Sequence, residues 1–214
     1  MGNYVITISR GFGSGGSHVA RMISAELGID YYDNEILQMA ADLSGINERF
    51  FFEANEKIKK SFIKINSSKG VYDGKVYGVN DKQYLSNENY FNFQAQVIKE
   101  LALEGKAPCI IIGKAANYVL RSLNNVVKIN VQAPMDLCVA NIMERLQKPQ
   151  YEAEDLITKT NKYRANYYKY FTGRNWLDPA EYDLSINTKA LGEEYAVKLI
   201  IQLVKDRGLL DPRA

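Results

Sequence analysis

Residues 4–33 have the sequence YVITISRGFGSGGSHVARMISAELGIDYYD, and the fold can be argued outward from them. The stretch begins with apolar, β-branched residues, which are typical of a buried parallel strand. A glycine-rich turn follows, and apolar residues then recur at helical spacing as far as Gly28. This order predicts a loop that binds phosphate with backbone amides at the start of a helix. The alternative is a tight turn between a strand and a helix that binds no ligand.

The composition is that of an ordinary globular chain and excludes several classes of protein. The 214 residues are enough to bury a sizeable core. A net charge of +2 argues against a nucleic-acid binder, which would carry a clear basic surplus. No apolar run approaches the ~20 residues that span a bilayer, and the first residues show no signal-peptide pattern. Cys109 and Cys138 lie far apart without metal-ligand spacing, so we expect buried free thiols and a cytoplasmic protein.

Strand and helix patterns alternate along most of the chain. Further strands are predicted at 29–33, 108–113, 126–133 and 182–188, and 108–113 is the most apolar of these, which favours a central position. Helices are predicted between and after them, at 17–28, 34–45, 91–105, 135–146, 152–173 and 192–208. The alternation predicts a single three-layer α/β domain over 1–214, with a parallel sheet and helices on both faces.

Residues 46–90 break this pattern. They are polar and rich in turn signals, and Asp73-Gly74 between two β-prone runs predicts a small hairpin. We therefore predict that 46–90 form a mobile lobe inserted into the domain. In the helix just before it, we expect Asn34 to cap the start and Leu43 to lie on the inner face.

The glycine loop departs from the usual phosphate-binding motif at its end. Gly11 and Gly16 have the spacing of G-x-x-x-x-G-K-[ST], but Ser17 and His18 follow where that motif has lysine and Ser or Thr. The lysine normally spans the terminal phosphates, and the hydroxyl normally ligates Mg²⁺. Imidazole is a poor ligand for so hard an ion, so we assign no metal-ligating residue. The backbone of the site is intact, and the residues predicted to contact a nucleotide are Arg10, Gly11, Gly13, Ser14, Gly15, Gly16, Ser17 and His18.

A catalyst without the loop lysine needs positive charge from elsewhere, because phosphoryl transfer depends on charge neutralisation and in-line positioning. Lys114 follows the apolar strand 108–113 and a glycine, at the same edge of the sheet as the loop. Arg164 lies in the long polar helix, and arginine can fork onto phosphate oxygens. The alternative for Arg164 is a solvated helix face. We select both as candidate catalytic residues.

Asp33 is the third candidate catalytic residue. It ends the strand 29–33, where a carboxylate can hold the acceptor hydroxyl, act as a base or hold Mg²⁺ through water. The alternative is a helix N-cap for the segment that follows. Four tyrosines in the long polar helix either stack on a base or pack in the core; they are Tyr163, Tyr167, Tyr168 and Tyr170.

The sequence resembles the cytidylate kinase-like family of P-loop nucleoside monophosphate kinases. The resemblance is carried by residues 6–37, 110–134, 159–188 and the closing helix. Its most specific parts are the first of these stretches, 6–37, and the segment "ANYYKYFTG". The resemblance implies a core that holds ATP with Mg²⁺ on the glycine loop. It also implies that the lobe 46–90 holds the acceptor and that a helical lid, 145–176, closes over the phosphates.

The chain departs from this family after the third predicted strand. Cytidylate kinases carry a "GRDIGT"-like segment there, whose arginine binds the acceptor phosphate, whereas this chain has "GKAANY" with Lys114 in that place. The leading hypothesis is ATP-dependent phosphoryl transfer to a small acceptor, in the first place a nucleoside monophosphate. One alternative is a nucleotide-binding module with little or no kinase activity. Another is a kinase for a small molecule that is not a nucleotide. The sequence does not indicate a protein partner or an oligomeric state.

Overall fold

The computed structural model describes residues 3–51, 72–105 and 107–210, and its centre is a five-stranded parallel sheet. The strands lie in the order β2-β3-β1-β4-β5. They are β1 (Val5–Arg10), β2 (Asp30–Tyr32), β3 (Cys109–Ile112), β4 (Val126–Gln132) and β5 (Leu184–Asn187). All five strands were predicted. Strand β3 lies inside the sheet, between β2 and β1, so the central position predicted for 108–113 is confirmed, although β1 is the middle strand.

Helices cover both faces of the sheet, which confirms the three-layer α/β fold. They are α1 (Gly16–Leu27), α2 (Glu35–Ser44), α3 (Asn87–Leu103), α4 (Ala116–Val119), α5 (Met135–Leu146), α6 (Gln150–Thr172), α7 (Thr188–Leu191) and α8 (Glu193–Asp206). Side chains alternate between the faces along β1: Ile6 and Ile8 pack with α1 and α8, and Val5 packs with α2, α3 and the end of α6. Within the described part of the chain, no helix is both long and apolar enough to cross a membrane.

The region predicted as an inserted lobe is described only at its edges. Residues 72–90 contain no strand, so the prediction of a hairpin at Asp73-Gly74 was wrong for these described residues. Asp73 instead accepts a hydrogen bond from the amide of Lys75 in a local turn (2.9 Å). Residues 52–71 lie outside the described residues. Helix α3 begins before the predicted residue 91, because the hydroxyl of Ser86 caps the amide of Asn89 (3.1 Å).

Helix α2 differs from its prediction in two details. Asn34 occupies the N-cap position, but its side chain makes no capping hydrogen bond. Leu43 is 41% exposed, whereas Ile36, Leu37 and Ala40 are buried as expected. The buried stripe is therefore narrower than helical periodicity alone indicated. Both cysteines are free and buried, as predicted.

The second half of α6 is fixed in the core. Phe171 stacks on Phe91 of α3 with ring centroids 4.1 Å apart and planes inclined by 6°, and each side chain is 1% exposed. Tyr167 meets both rings edge-on. Aromatic contacts of this kind stabilise beyond the area that they bury. They hold α6 against α3 and so fix the part of α6 that borders the site.

We expect Phe91→Ala to lower the free energy of unfolding by about 3–5 kcal/mol, because it leaves a cavity beside Phe171 that the packed helices cannot fill. Urea unfolding followed by circular dichroism measures this. Leu103→Ala is the matched control, since Leu103 lies on the same helix and is 61% exposed; it should change stability by no more than about 0.5 kcal/mol. Equal losses in both variants would contradict this packing.

Candidate functional site

A cavity of about 590 Å³, here called the loop cavity, lies between the glycine loop and the facing helices α5 and α6. Seven of the eight residues predicted to contact a nucleotide line it: Arg10, Gly11, Gly13, Gly15, Gly16, Ser17 and His18. Ser14 does not. Its buried hydroxyl hydrogen-bonds the carbonyl oxygens of Gly11 (2.9 Å) and Val131 (3.0 Å), so this side chain fixes the loop on the sheet.

Four backbone amides in this loop have no hydrogen-bond partner in the described part of the chain, namely those of Gly13, Gly15, Gly16 and Ser17. Two of them open α1, where the first turn of a helix leaves its N–H groups unpaired and the helix dipole favours negative charge. Unpaired amides gathered at a helix N-terminus form an anion site without any side chain. The loop therefore fits the phosphates of a nucleotide.

Side chains from α5 and α6 hold the loop in this shape. Asn161 accepts a hydrogen bond from the amide of Phe12 (2.8 Å), and the amide group of Asn141 donates to the carbonyl of Gly13 (2.8 Å). These contacts span 149 and 128 residues of sequence, so no local pattern could have indicated them. They fix the loop before any ligand binds.

Glu193, the first residue of α8, is a further member of the site that the sequence did not reveal. A Cβ atom on Gly15 would lie 1.9 Å from Oε1 of Glu193, and Gly15 has a φ of +82°. The other carboxylate oxygen lies 2.5 Å from Nδ1 of His18. The Glu193 carboxylate thus lies against the start of α1, and the imidazole of His18 is paired with it. Glycine is therefore the only residue type that the backbone conformation at position 15 and this contact both allow.

A second cavity of about 410 Å³, here called the tyrosine cavity, opens beside the ends of β1 and β3. Its wall includes Tyr163, Tyr167, Tyr168 and Trp176. Tyr168 is held in place, because its hydroxyl accepts from Asn117 (2.9 Å) and donates to Glu181 (3.0 Å). Tyr170 does not line the cavity and bonds Glu88 instead. Three of the four tyrosines thus border a cavity while also packing on the core.

Lys114 lines the tyrosine cavity and not the loop cavity. Lys114 and Ala115 follow Gly113 with φ values of +53° and +52°. Two consecutive residues with side chains in the left-handed region carry backbone strain, which is found mostly where a ligand or active site requires the geometry. The turn after β3 therefore has the local strain of a functional site.

Three predicted residues lie where the two cavities meet: Arg10, Asp33 and Arg164 line both. Nη2 of Arg10 donates to Oδ2 of Asp33 (2.8 Å), and Nη1 of Arg164 donates to the backbone carbonyl of Arg10 (2.7 Å). Burial lowers the pKa of Arg10, and the Asp33 carboxylate opposes that shift. Asp33 pairs with Arg10 and does not cap α2.

Arg164 is a cation whose surroundings disfavour its charge. Burial lowers its pKa to about 9, and the nearby positive charges of Arg10 and Arg145 contribute to this shift. Arg145 and Arg164 both lie over the ring of Phe12, at 5.2 and 5.6 Å from its centroid. No carboxylate of the described residues forms a salt bridge with Arg164. An anion placed among these guanidinium groups would relieve their repulsion, so a solvated helix face does not describe Arg164.

The carboxylates of the loop cavity do not form a ready metal site. Within the described ranges, no group of three or more His, Cys, Asp or Glu side chains is placed to hold a metal ion. Mg²⁺ usually keeps several waters and binds through substrate phosphates with one or two carboxylates. The residues present therefore fit Mg²⁺ that is held mainly by a nucleotide, and Asp33 or Glu193, which line the loop cavity, would hold its waters.

The comparisons with known proteins agree with this geometry. The profile described as "Cytidylate kinase-like family" matches residues 5–190. The chain belongs to the cytidylate kinase-like family. The match supports a kinase-like phosphotransfer and does not establish the substrate. A search of curated proteins gave no match.

Solved structures support the fold. An uncharacterized protein from Eubacterium ventriosum superimposes with a TM-score of 0.70 at 21% identity, covering 95% of this chain and 99% of that one. TT1252 from Thermus thermophilus superimposes with a TM-score of 0.52 at 15% identity, covering 95% of this chain and 99% of that one. Shikimate kinase from Acinetobacter baumannii in complex with shikimate has a TM-score of 0.47 at 14% identity, covering 97% of this chain and 96% of that one. This last TM-score is too low to support any conclusion about the acceptor.

We expect Gly15→Ala to weaken ATP binding at least tenfold, because the new methyl group would push Glu193 into the loop cavity. Calorimetric titration with ATP measures this. Gly45→Ala is the matched control: Gly45 also has a positive φ (+70°), but a Cβ there would meet nothing within 4 Å. It should lose a similar amount of stability, about 1 kcal/mol, and keep its affinity. Equal affinity in both variants would show that the loop does not bind the nucleotide.

The pKa of Arg164 predicts a pH dependence. Arg164 is charged below a pKa of about 9, and only its charged form attracts phosphate, so ATP affinity should be full near pH 7 and fall as pH rises through about 9. The phosphates of ATP are already ionised over this range, because their last pKa is near 6. Titrations between pH 7 and 10 measure the effect. Arg164→Met should bind more weakly and lose most of the pH dependence; an unchanged profile in this variant would assign the titration to another group.

Proposed function

We propose that this protein transfers the γ-phosphoryl group of ATP to a small acceptor, with a nucleoside monophosphate as the first candidate. The observation that carries the proposal is the meeting of the loop cavity and the tyrosine cavity at Arg10, Asp33 and Arg164. A phosphotransferase needs a donor site and an acceptor site that share one charged boundary, since the transferred group passes between them. Membership in the cytidylate kinase-like family supports this type of chemistry.

On the donor side, the amides of Gly13, Gly15, Gly16 and Ser17 would bind the phosphates, and Arg164 would neutralise charge that develops on the transferred group. Mg²⁺, when bound, neutralises and orients the β- and γ-phosphates. In the reaction, a bond forms between an acceptor oxygen and the γ-phosphorus, and the bond to the bridging oxygen of ADP breaks. The protein positions these atoms and stabilises their charge; no covalent intermediate with the protein is required.

On the acceptor side, the tyrosine cavity combines aromatic walls with the cations Lys114 and Arg164. Such a cavity suits a planar ring that carries a phosphate, because rings stack on tyrosine and tryptophan while the cations bind the phosphate. In this proposal Lys114 binds the acceptor phosphate. The segment 145–176 acts as the lid, and the lobe 46–90 contributes to the acceptor side.

The role of Asp33 depends on the acceptor. A phosphate acceptor is already ionised and needs no base, so Asp33 would act by orienting Arg10. An alcohol acceptor must lose a proton, and Asp33 would then be the candidate base. Asp33→Asn should therefore lower kcat only modestly if the acceptor is a phosphate. With an alcohol acceptor, loss of the base should lower kcat by about 10²–10⁴-fold, and steady-state kinetics with each class of acceptor measures the difference.

The second candidate function is a nucleotide-binding module with little catalysis, and the absence of the loop lysine at Ser17 favours it. Ser17→Lys separates the two. In a module that lost catalysis with its lysine, the substitution should raise turnover sharply. In an enzyme whose charge comes from other residues, it should change turnover by no more than a fewfold.

The experiment that tests the proposed function is ATP consumption by the purified protein with Mg²⁺, against CMP, dCMP, UMP, AMP, GMP and buffer alone, with products identified by chromatography. We expect turnover with one acceptor well above the buffer rate. A flat panel with ATP still bound in calorimetry would contradict a nucleoside monophosphate kinase and favour the binding module or an acceptor of another class.

A further inference from the structure

The side chain of Arg10 lies beside the position from which the loop lysine would project. Its Nε donates a hydrogen bond to Oγ of Ser17 (3.2 Å). Ser17 is the residue that stands where the usual loop has lysine. The guanidinium group therefore lies next to the start of α1, although Arg10 belongs to the end of β1.

Two glycines make room for this arrangement. A Cβ on Gly16 would lie 2.6 Å from Cβ of Arg10, and a Cβ on Gly113 would lie 2.6 Å from its Nη1. Heavy atoms of side chains do not approach so closely, so any side chain at either position would displace Arg10. The side chain passes over the last glycine of the loop at one end and the glycine after β3 at the other.

Asp33 fixes the far side of the guanidinium group. It pairs with Nη2, while Nε faces Ser17 and Nη1 lies over Gly113. The Arg10 side chain is only 13% exposed, and it borders both cavities. A buried cation held at three sides loses little conformational entropy when a phosphate arrives, which is what electrostatic stabilisation of a transition state requires.

We infer that Arg10 supplies the charge that the missing loop lysine would supply, so that in this chain the cation comes from the strand before the loop and Ser17 serves as its hydrogen-bond acceptor. The inference rests on the proposed function. It names the residue whose charge would allow phosphoryl transfer although Ser17 stands where the usual loop has lysine. Arg10 lies at the boundary of the two cavities, where the transferred phosphoryl group would pass, and Arg164 is anchored to its backbone carbonyl. Asp33 acts here as a positioning residue.

The test is a charge relocation between positions 10 and 17. Arg10→Gln removes the charge but keeps a nitrogen at the same number of bonds from Cα, so the contact with Ser17 can persist. We expect it to lower kcat by about 10²–10³-fold, the effect of removing one preorganised donor, with a smaller change in the KM for the acceptor. Arg10→Gln combined with Ser17→Lys should recover at least tenfold of this loss.

Binding measurements separate this inference from the proposed function. If the parent protein turns over no acceptor, the proposed function fails, and the role of Arg10 is then read from calorimetric titration with ATP. Arg10→Gln should weaken ATP binding, and the added Ser17→Lys should restore it. Gly113→Ala, which displaces Arg10 without altering any charge, should weaken ATP binding in the same direction. Thermal unfolding of each variant establishes that it is folded.

Two results would overturn the inference. One is a folded Arg10→Gln variant with the turnover and ATP affinity of the parent protein. The other is a loss in Arg10→Gln that Ser17→Lys does not recover in either measurement, which would show that the charge acts from a place the lysine cannot reach.

Discussion

The Arg10 side chain, held between Gly16, Gly113 and Asp33, is the contact on which the geometry of the site depends. It joins the ends of β1, β3 and the β2–α2 turn, and it forms part of the boundary of both cavities. The Arg10 side chain is only 13% exposed and loses much of its hydration, so the ion pair is weak evidence of a stabilising role. Its position at the boundary indicates instead that the fold keeps a cation where phosphate is expected.

The surrounding structure keeps the loop rigid by means that do not involve a lysine. Asn141 and Asn161 bind the loop backbone from two helices, and Arg164 binds the carbonyl of Arg10. Helix α6 can do this because stacking of Phe171 on Phe91 fixes its second half in the core. The packing of α3 on α6 is thereby linked to the shape of the phosphate site about two turns along the same helix.

Local sequence patterns predicted the five strands and the long helices well. A signal within a few residues marks each strand, the glycines that end helices and the glycine loop. The loop, Arg10, Asp33 and Arg164 were also selected from sequence, and the structure brings them together. Glu193, Asn141 and Asn161 were missed, since their contacts depend on which helices meet across the sheet. The hairpin at Asp73-Gly74 failed because a turn signal does not ensure that its flanks find strand partners.

The proposed function requires that one boundary joins a donor site and an acceptor site. A crystal structure with Mg²⁺ and a non-hydrolysable ATP analogue is the sharpest test of this arrangement. We expect β-phosphate oxygens on the amides of Gly15, Gly16 and Ser17, and a γ-phosphate within hydrogen-bond distance of Arg10, facing the tyrosine cavity. A nucleotide bound elsewhere, or a γ-phosphate directed away from Arg10 and the tyrosine cavity, would contradict it.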